Sequence, residues 1–199
     1  MLTLFHHPKT RSTRFIFLLE ELGVAYTVRR VEIRKRDGAG AVDALNPHPH
    51  GKVPALDDDG VVVFESSAIA LYLTDRFPER GLGPTVTDPD RGAYLSWLAY
   101  YSGVVEPAFV SKFMNVVVPR GTAGWVAVEE VMPVLIDRLA RGPYLLGERF
   151  SAADILYGTT FAMFAQSPLL AKSPVIDAYA ERVVARPAFQ RAQARDERA

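Results

Sequence analysis

Two neighbouring residues, Glu65 and Ser66, stand where an apolar run ends and a helical pattern begins. The free N–H groups and the positive end of the helix dipole make such a junction a binding place for a carboxylate. Ser66 would hold that carboxylate through its hydroxyl and amide, and Glu65 would meet a positive charge beside it. The structural alternative is that Ser66 only caps the helix and that Glu65 is an acid favoured by the dipole. The two residues can stabilise the helix start and bind a ligand at the same time.

Several other kinds of chemistry are excluded by what the sequence lacks. It contains no cysteine, which excludes disulfides, thiolate metal ligands and any mechanism that uses a protein thiol. The histidines form two close pairs, His6 with His7 and His48 with His50. Neither pair has the i, i+4 spacing of a helical zinc motif, so we predict no metal site.

The elements that must position these groups alternate between strand and helix over the first 77 residues. An Asp-Gly pair at 59–60 predicts a tight hairpin turn between two short apolar runs. The apolar spacing predicts the following elements: strands at 2–6, 26–33, 53–56 and 61–64, helices at 11–23 and 66–77, and one helical turn around 41–45.

Residues 78–89 carry three prolines and two glycines and predict a linker. Beyond them the pattern predicts helices at 90–118, 125–140, 151–166, 174–185 and 187–193, followed by a frayed charged tail. Ser151 and Asp154 have the spacing of a capping box at one helix start. The predicted domains are therefore residues 1–77, the linker 78–89, and an all-helical domain over 90–199.

The composition is that of a globular protein without a nucleic-acid partner. Of the 199 residues 49% are hydrophobic, and 23 basic residues balance 23 acidic ones. No apolar run approaches the roughly 20 residues needed to span a bilayer. The first residues are too short an apolar stretch, and too poor in basic residues, for a signal peptide. We expect no membrane association and a cytoplasmic location.

Three motifs, in this order and spacing, resemble the glutathione transferase superfamily. They are the 4–8 run followed by hydroxyl and arginine residues, the segment from Asn46 to Leu56 with Gly-Lys-Val-Pro inside it, and Glu65-Ser66 before a helix. The Ser151 cap resembles the family's C-terminal signature, so the likeness spans essentially the whole chain. It implies an α+β, thioredoxin-like N-terminal domain (strand-helix-strand-helix-strand-strand-helix) followed by an all-α domain.

The resemblance implies that glutathione is bound by the N-terminal domain. Val53-Pro54 looks like the family's Val-cis-Pro, whose valine pairs strand-like with the cysteinyl backbone of the tripeptide. The alternative for that pair is an ordinary proline at the start of a strand. Glu65 and Ser66 would hold the γ-glutamyl ammonium and carboxylate.

Two further residues of the same loop, Lys52 and His50, would lie beside the glycyl carboxylate of the tripeptide. The preceding His48-Pro49 lengthens the family's usual Asn-Pro-x-Gly-Lys pattern. The register of this loop therefore stays open.

In this family a hydroxyl near the start of the first helix favours the thiolate of glutathione. Phe5 occupies the strand position of the tyrosine-type members, and there is no cysteine. The resemblance is therefore to bacterial, serine- or threonine-like members, with Ser12 and Thr10 as joint candidates and Thr13 beside them. For each hydroxyl, capping of the helix is the open alternative.

Aromatic residues of the first C-terminal helix, namely Tyr101, Phe109 and Phe113, would line the pocket for a hydrophobic co-substrate, as the resemblance implies. Phe161 and Phe164 could face the same pocket. Aromatic residues at helical spacing otherwise indicate core packing.

The preferred hypothesis is a glutathione transferase in which the thiolate of glutathione, as co-substrate, attacks a hydrophobic electrophile. A second hypothesis is a glutathione-dependent peroxide or disulfide reductase, in which a second glutathione resolves the mixed species. A third is a non-catalytic glutathione-binding module, because function depends on the site and not on the fold. The resemblance also implies a homodimer.

Overall fold

A computed structural model describes residues 1–198, which form two compact units. The first unit comprises Met1–Phe77 together with the segment from Arg186 onward, and the second comprises Pro78–Ala185. The sequence predicts a different division, with a linker over 78–89 and one helical domain over 90–199. The last helix packs on the first one instead, and the proline-rich segment goes with the helical unit. Ala199 lies outside the described residues.

The first unit contains one four-stranded sheet. Its strands are β1 (Leu2–His6), β2 (Tyr26–Arg30), β3 (Ala55–Asp58) and β4 (Val61–Phe64), in the order β2-β1-β3-β4. The pair β1 and β2 is parallel, and the other two pairs are antiparallel. Helix α1 (Thr13–Leu22) makes the crossover that the parallel pair requires, and α2 (Ser66–Arg76) follows β4.

Helix α1 forms because its apolar residues recur at helical spacing. Phe15, Leu18, Leu19 and Leu22 are all buried in the core of this unit. The helix ends at Gly23, whose φ of 63° is the left-handed conformation that glycine adopts without steric cost. The Gly23 N–H donates to the carbonyl of Leu19 at 3.0 Å.

A tight turn joins β3 to β4, as the Asp-Gly pair predicts. Asp59 and Gly60 have φ values of 50° and 92°, so both central residues of the two-residue loop are left-handed. The hairpin prediction is confirmed. This turn also fixes the register of β4 on β3.

The segment between β2 and β3 differs from its prediction. Its residues form turns, and the helical turn expected around 41–45 is not present. The Asp43 carboxylate accepts the Leu45 N–H at 2.9 Å, and the Asp43 carbonyl accepts the Asn46 N–H at 3.1 Å. An aspartate that bonds the backbone two residues on favours a turn over a helix.

The second unit is helical, and the predicted fold class is confirmed for the chain. Its helices are α3 (Arg91–Tyr100), α4 (Glu106–Phe113), α5 (Val128–Leu139), α6 (Ala152–Phe164) and α7 (Pro174–Val184), with a π-helical turn at Tyr101–Val105 between the first two. The helix predicted over 90–118 is thus interrupted by this turn and ends at Phe113. Within residues 1–198 no helix has both the length and the apolar content needed to cross a bilayer.

The capping box at the start of α6 is present and is part of a larger buried network. Ser151 and Asp154 bond reciprocally, with the Ser151 N–H donating to Asp154 Oδ2 at 2.8 Å. The other oxygen, Oδ1, accepts the Leu145 N–H and the Tyr179 hydroxyl, both at 2.9 Å. Burial raises the pKa of the Asp154 carboxyl, while the hydrogen bonds from Leu145, Ser151 and Tyr179 act against that rise.

The last helix, α8 (Pro187–Asp196), packs against α1 in the first unit. The rings of Phe17 and Phe189 meet edge to face at 5.4 Å, and Arg186 binds both carboxylate oxygens of Glu21. The sequence predicted a frayed tail after residue 193. The helix instead continues to Asp196, whose side chain is buried.

We expect Asp154→Ala to lower the free energy of unfolding by about 3 kcal/mol or more, because it leaves several buried donors without an acceptor. The measurement is the midpoint of urea unfolding followed by circular dichroism. Glu148→Ala is the matched control, since Glu148 is an exposed acid in the preceding loop and should change stability by less than about 0.5 kcal/mol. Equal losses in the two variants would contradict the role given to Asp154.

Candidate functional site

The register of the sheet brings the three sequence motifs to one end of it. Phe5 of β1 lies opposite Ala55 of β3, and Ala55 lies opposite Phe64 of β4. The loop after β1, the residues before β3 and the residues after β4 therefore leave the sheet at the same end. Adjacent strands are about 4.8 Å apart, so the three departures span about 10 Å, which is the scale of a tripeptide.

The loop after β1 holds the two candidate hydroxyls against each other. Thr10 Oγ1 lies 2.7 Å from Ser12 Oγ and donates to the His7 carbonyl at 2.6 Å. Ser12 Oγ in turn lies 2.8 Å from Nδ1 of His6. The two hydroxyls and Nδ1 of His6 thus lie in a row of close polar contacts that runs inward from Thr10.

The two hydroxyls differ in their accessibility. Ser12 is fully buried, whereas Thr10 is partly exposed. Ser12 stands at the N-cap position of α1, but its side chain makes no capping hydrogen bond and faces His6 instead. Capping, the alternative left open for Ser12, is therefore absent from this structure. Between the two, Thr10 is better placed to meet a ligand.

His6, a residue that the sequence did not single out for this site, is completely buried beneath the loop. Burial lowers its pKa to about 4, with the nearby Asp196 carboxylate opposing the shift and His7 and Arg30 adding to it. The ring is therefore neutral at neutral pH. Its Nε2 lies 3.2 Å from Asp196 Oδ1, though not in hydrogen-bonding geometry. A carboxylate on that side favours the proton on Nε2, which leaves Nδ1 to accept from Ser12.

Phe5 occupies the position on β1 at which, as the resemblance implies, tyrosine-type members carry their tyrosine. Its ring is buried with Val31 and Ala55, and Val53 packs against this small cluster. The side chain therefore contributes packing at the end of the sheet and no hydroxyl.

The bond between Val53 and Pro54 is cis, as the resemblance implies, and that prediction is confirmed. Val53 lies directly before β3 and is half-buried. Among residues 1–198, none is hydrogen-bonded to the Val53 amide or carbonyl. These backbone groups therefore remain available to pair with an extended ligand.

The loop before Val53 is held by side chains that sequence reasoning did not assign. Asn46 donates from Nδ2 to the Lys52 carbonyl at 2.9 Å and accepts the His48 N–H at 3.1 Å. His48 is buried, and its Nδ1 accepts the His50 N–H at 3.1 Å. Asn46 and His48 thus form an internal brace of the loop. Their Asn-x-His spacing could have indicated it, since Asn commonly bonds the backbone two residues on.

The charged and polar ends of that loop face outward. The side chains of Lys52 and His50 are exposed. They and Glu65 all lie within electrostatic range of His48, whose pKa is lowered by burial first, with Glu65 opposing that change. The structure therefore brings Lys52 and His50 to the same end of the sheet as Glu65.

Glu65 and Ser66 occupy the junction between strand and helix that the sequence predicts. Glu65 is the N-cap residue and Ser66 the first residue of α2, so Ser66 is not itself the cap. Glu65 has φ 72° and ψ 133°, a conformation that costs a non-glycine residue of the order of 1–3 kcal/mol. Its side chain is 67% exposed and Ser66 is buried. Nothing in the packing of Glu65 explains this backbone, which is typical of a functional position.

The three aromatic residues predicted to line a hydrophobic pocket have different environments. Tyr101 is buried, with its hydroxyl hydrogen-bonded to Glu106 at 2.7 Å and to Thr160 at 2.8 Å. Phe109 is buried and stacks on Phe164 at 5.3 Å. Phe113 is 53% exposed at the end of α4.

The helical unit also has a cavity of about 220 Å³ between the end of α4, residues 115–118 and the start of α5. Its walls include Lys112, Trp125 and Val128 but none of the three predicted aromatic residues. Over the described part of the chain, no group of three histidine, aspartate or glutamate side chains is placed to hold a metal ion.

Comparison with protein families identifies both units. Residues 1–75 match the family described as "Glutathione S-transferase, N-terminal domain", and residues 118–182 match "Glutathione S-transferase, C-terminal domain". The chain is 30% identical to the disulfide-bond oxidoreductase YfcG of Escherichia coli K12, over all of this chain and 99% of that protein. It is 28% identical to the glutathione S-transferase GstA of Escherichia coli O157:H7, with 94% of each chain covered.

Solved structures with the same fold include a glutathione transferase from Methylococcus capsulatus, with a TM-score of 0.80 and 33% identity over the full length of both chains. A sphingomonad glutathione S-transferase in complex with glutathione has a TM-score of 0.78 at 30% identity, with 99% of this chain and 100% of that one covered. The similarity extends from the sheet to the last helix. The chain therefore belongs to the glutathione S-transferase family.

Proposed function

We propose that the chain is a glutathione transferase that binds glutathione at the end of its sheet and activates the thiol with the Thr10 hydroxyl. The observation that carries the proposal is the register Phe5–Ala55–Phe64, which brings the loop of Thr10, the Val53 backbone and Glu65-Ser66 together. The sphingomonad relative was solved with glutathione, which supports the ligand. The proposal includes a homodimer and a cytoplasmic location, where glutathione is kept reduced.

Each part of the tripeptide would meet a group suited to it. The γ-glutamyl carboxylate would bind at Ser66, where the start of α2 offers N–H groups, and its ammonium would meet the exposed Glu65 carboxylate. The cysteinyl backbone would pair with Val53 as an added strand. The glycyl carboxylate would meet Lys52 and His50.

The thiol needs only a modest preference for its ionised form. A free thiol has a pKa of about 8.5, and lowering it by two units takes about 2.7 kcal/mol. One charge-assisted hydrogen bond from Thr10 and the positive end of α1 can supply that amount. At rest the Thr10 hydrogen is donated to the His7 carbonyl. A thiolate is the stronger acceptor, so the hydroxyl would turn toward it and give up only a neutral hydrogen bond.

His6 is a poor candidate for a general base in this reaction. Its pKa of about 4 lies far below that of a thiol, so the proton of glutathione would not stay on the ring. The thiol proton would instead leave to solvent, and the thiolate would attack the electrophilic carbon of the co-substrate. With an aryl halide, the new C–S bond replaces the C–halogen bond and the halide ion leaves with that electron pair. The predicted pocket residues Tyr101, Phe109 and Phe113 stay proposals, and Phe113 is the one with an exposed ring.

A disulfide reductase is the second candidate, because the relative at 30% identity over the whole chain is named a disulfide-bond oxidoreductase. In that reaction the glutathione thiolate attacks one sulfur of a disulfide and releases the other as a thiolate. A second glutathione then attacks the mixed disulfide, so that oxidised glutathione and the reduced substrate are formed. Transfer to an aryl halide and oxidation of glutathione by a model disulfide, measured side by side, distinguish the two activities.

The function is tested by the pKa of the bound thiol, followed by ultraviolet titration, and by the pH profile of turnover. We expect Thr10→Ala to raise that pKa by at least about one unit and to reduce turnover at neutral pH about threefold or more. Affinity for glutathione should change little, because other elements hold the tripeptide. Thr10→Ser keeps the hydroxyl and should behave like the parent protein.

The Ser12 variants complete this test. Ser12→Ala should mainly reduce stability, because it leaves Nδ1 of buried His6 without its partner. Adding it to Thr10→Ala should raise the thiol pKa no further. If the double variant titrates like the parent, the side-chain hydroxyls are not the activators.

Ser66→Ala should weaken glutathione binding by about 1–3 kcal/mol, because it leaves a charged group of the ligand without its partner. Isothermal titration calorimetry measures the loss. Ser96→Ala is the control, since Ser96 is an exposed serine of α3 that bonds only within its own helix. Unchanged affinity in Ser66→Ala would remove Ser66 from the binding site.

The backbone of Glu65 gives a test that separates stability from binding. Glu65→Ala and Glu65→Gly both remove the carboxylate, so both should weaken glutathione binding to a similar extent. Only glycine also relieves the positive φ, so the glycine variant should be more stable than the alanine variant by about 1 kcal/mol. Calorimetry and urea unfolding measure the two effects. Equal stability of the two variants would show that the conformation carries no strain.

A further inference from the structure

We infer that Asp196, near the end of the last helix, is a positioning residue for the loop that activates the thiol of glutathione. The inference deepens the proposed function and rests on it. Nothing in the sequence indicates such a role, since Asp196 stands in a charged run about 185 residues away from the loop. The inference comes from the contacts that its carboxylate makes.

The carboxylate of Asp196 contacts the loop at three places. Oδ2 accepts the Lys9 N–H at 3.1 Å, with Oδ1 of the same group at 3.4 Å. Oδ1 also accepts the hydroxyl of Thr13, the first residue of α1. The same oxygen lies 3.2 Å from Nε2 of His6. These contacts bracket Thr10 and Ser12 on both sides in sequence.

The burial of Asp196 makes these contacts significant. The residue is only 6% exposed, whereas its neighbours Glu197 and Arg198 are exposed. A buried carboxylate is costly unless donors satisfy its oxygens. Here the donors are a main-chain amide and a hydroxyl of the loop, and no arginine or lysine side chain forms an ion pair with Asp196 among the residues described. The carboxylate and the loop therefore depend on each other.

The backbone of Lys9 is the part of the loop that the Asp196 carboxylate contacts most directly. Its φ is 57°, the left-handed conformation that a residue with a side chain rarely adopts. The Lys9 side chain is exposed, so its packing does not impose this conformation. The contact that reaches this backbone from another element is the hydrogen bond from the Lys9 N–H to Asp196, and we take it to hold the conformation in place. Without that bond the backbone at Lys9 would relax toward negative φ and would carry Thr10, the next residue, away from its position.

The experiment compares Asp196→Asn with the parent protein. Asparagine keeps the size of the side chain, but replaces one acceptor oxygen with an amide donor that faces the donors of the loop. We expect the pKa of bound glutathione to rise by about one unit, from about 6.5 to about 7.5, so that the thiolate fraction at neutral pH falls about threefold. The KM for glutathione should stay within about twofold, because Val53, Glu65 and Ser66 lie on other elements. Glu197→Gln, the exposed neighbour, is the matched control and should leave the thiol pKa unchanged.

A rescue variant tests the route through Lys9. Adding Lys9→Gly to Asp196→Asn should recover most of the lost thiolate, because glycine adopts a positive φ without steric cost. In the ligand-free protein, hydrogen exchange of the Lys9 amide should be at least about tenfold faster in Asp196→Asn than in the parent. That measurement does not require glutathione.

Three results would overturn the inference. The first is a thiol pKa in Asp196→Asn equal to that of the parent, even if urea unfolding shows lower stability, because that is a purely structural role. The second is an equal pKa shift in Glu197→Gln. The third is unchanged Lys9 exchange. Failure of the parent protein to bind glutathione is a separate outcome, seen before any variant is made, and it would overturn the proposed function together with this inference.

Discussion

The register in which β3 lies between β1 and β4 is the constraint on which the candidate site depends. It places Ala55 opposite both Phe5 and Phe64, so that three loops from distant parts of the chain leave the sheet at one end. A slip of one residue would turn every side chain of β3 to the opposite face and would move Val53 away from the buried cluster of Phe5. The two-residue turn at Asp59 and Gly60 opposes such a slip, because its left-handed residues permit one pairing of the hairpin. A turn about five residues from Ala55 thus helps to position the Val53 backbone, which we propose pairs with the ligand.

Local signals in the sequence were enough to predict most of the fold. The bounds of β1 and β4, the hairpin turn, the end of α1 at Gly23 and the capping box of α6 each depend on residues within five positions of one another. The failures have local causes as well. Asp43 bonds its own backbone and stops the turn around 41–45 from becoming a helix, and a π-helical turn interrupts the long helix predicted over 90–118. Both effects depend on small differences in hydrogen bonding that a hydrophobic pattern does not contain.

The candidate site was predictable as a set of motifs but not as a set of contacts. Glu65, Ser66, Val53 and the hydroxyls near α1 were proposed for it from their types and positions. The sequence could not rank Thr10 above Ser12, because the ranking depends on which hydroxyl faces the buried ring of His6. Spacing along the chain places both hydroxyls equally near the helix start. The two hydroxyls are distinguished only in the folded protein, where Ser12 packs against His6 at the end of β1.

The last helix makes two kinds of charged contact with the rest of its unit, through partly exposed ion pairs and through the buried carboxylate of Asp196. Its ion pairs with α1 join Arg186 to Glu21 and two further arginines to Glu20, all with arginines that are 31–54% exposed. Such pairs contribute about 0–1 kcal/mol each, so the helix is held mainly by its buried alanines and by Phe189. Asp196 differs, since an apolar residue of similar size at this buried position would avoid the desolvation of a carboxylate. Such a residue would offer no acceptor to the Lys9 amide or the Thr13 hydroxyl. Whatever stability it gained at the helix end would therefore be accompanied by release of the loop that presents Thr10.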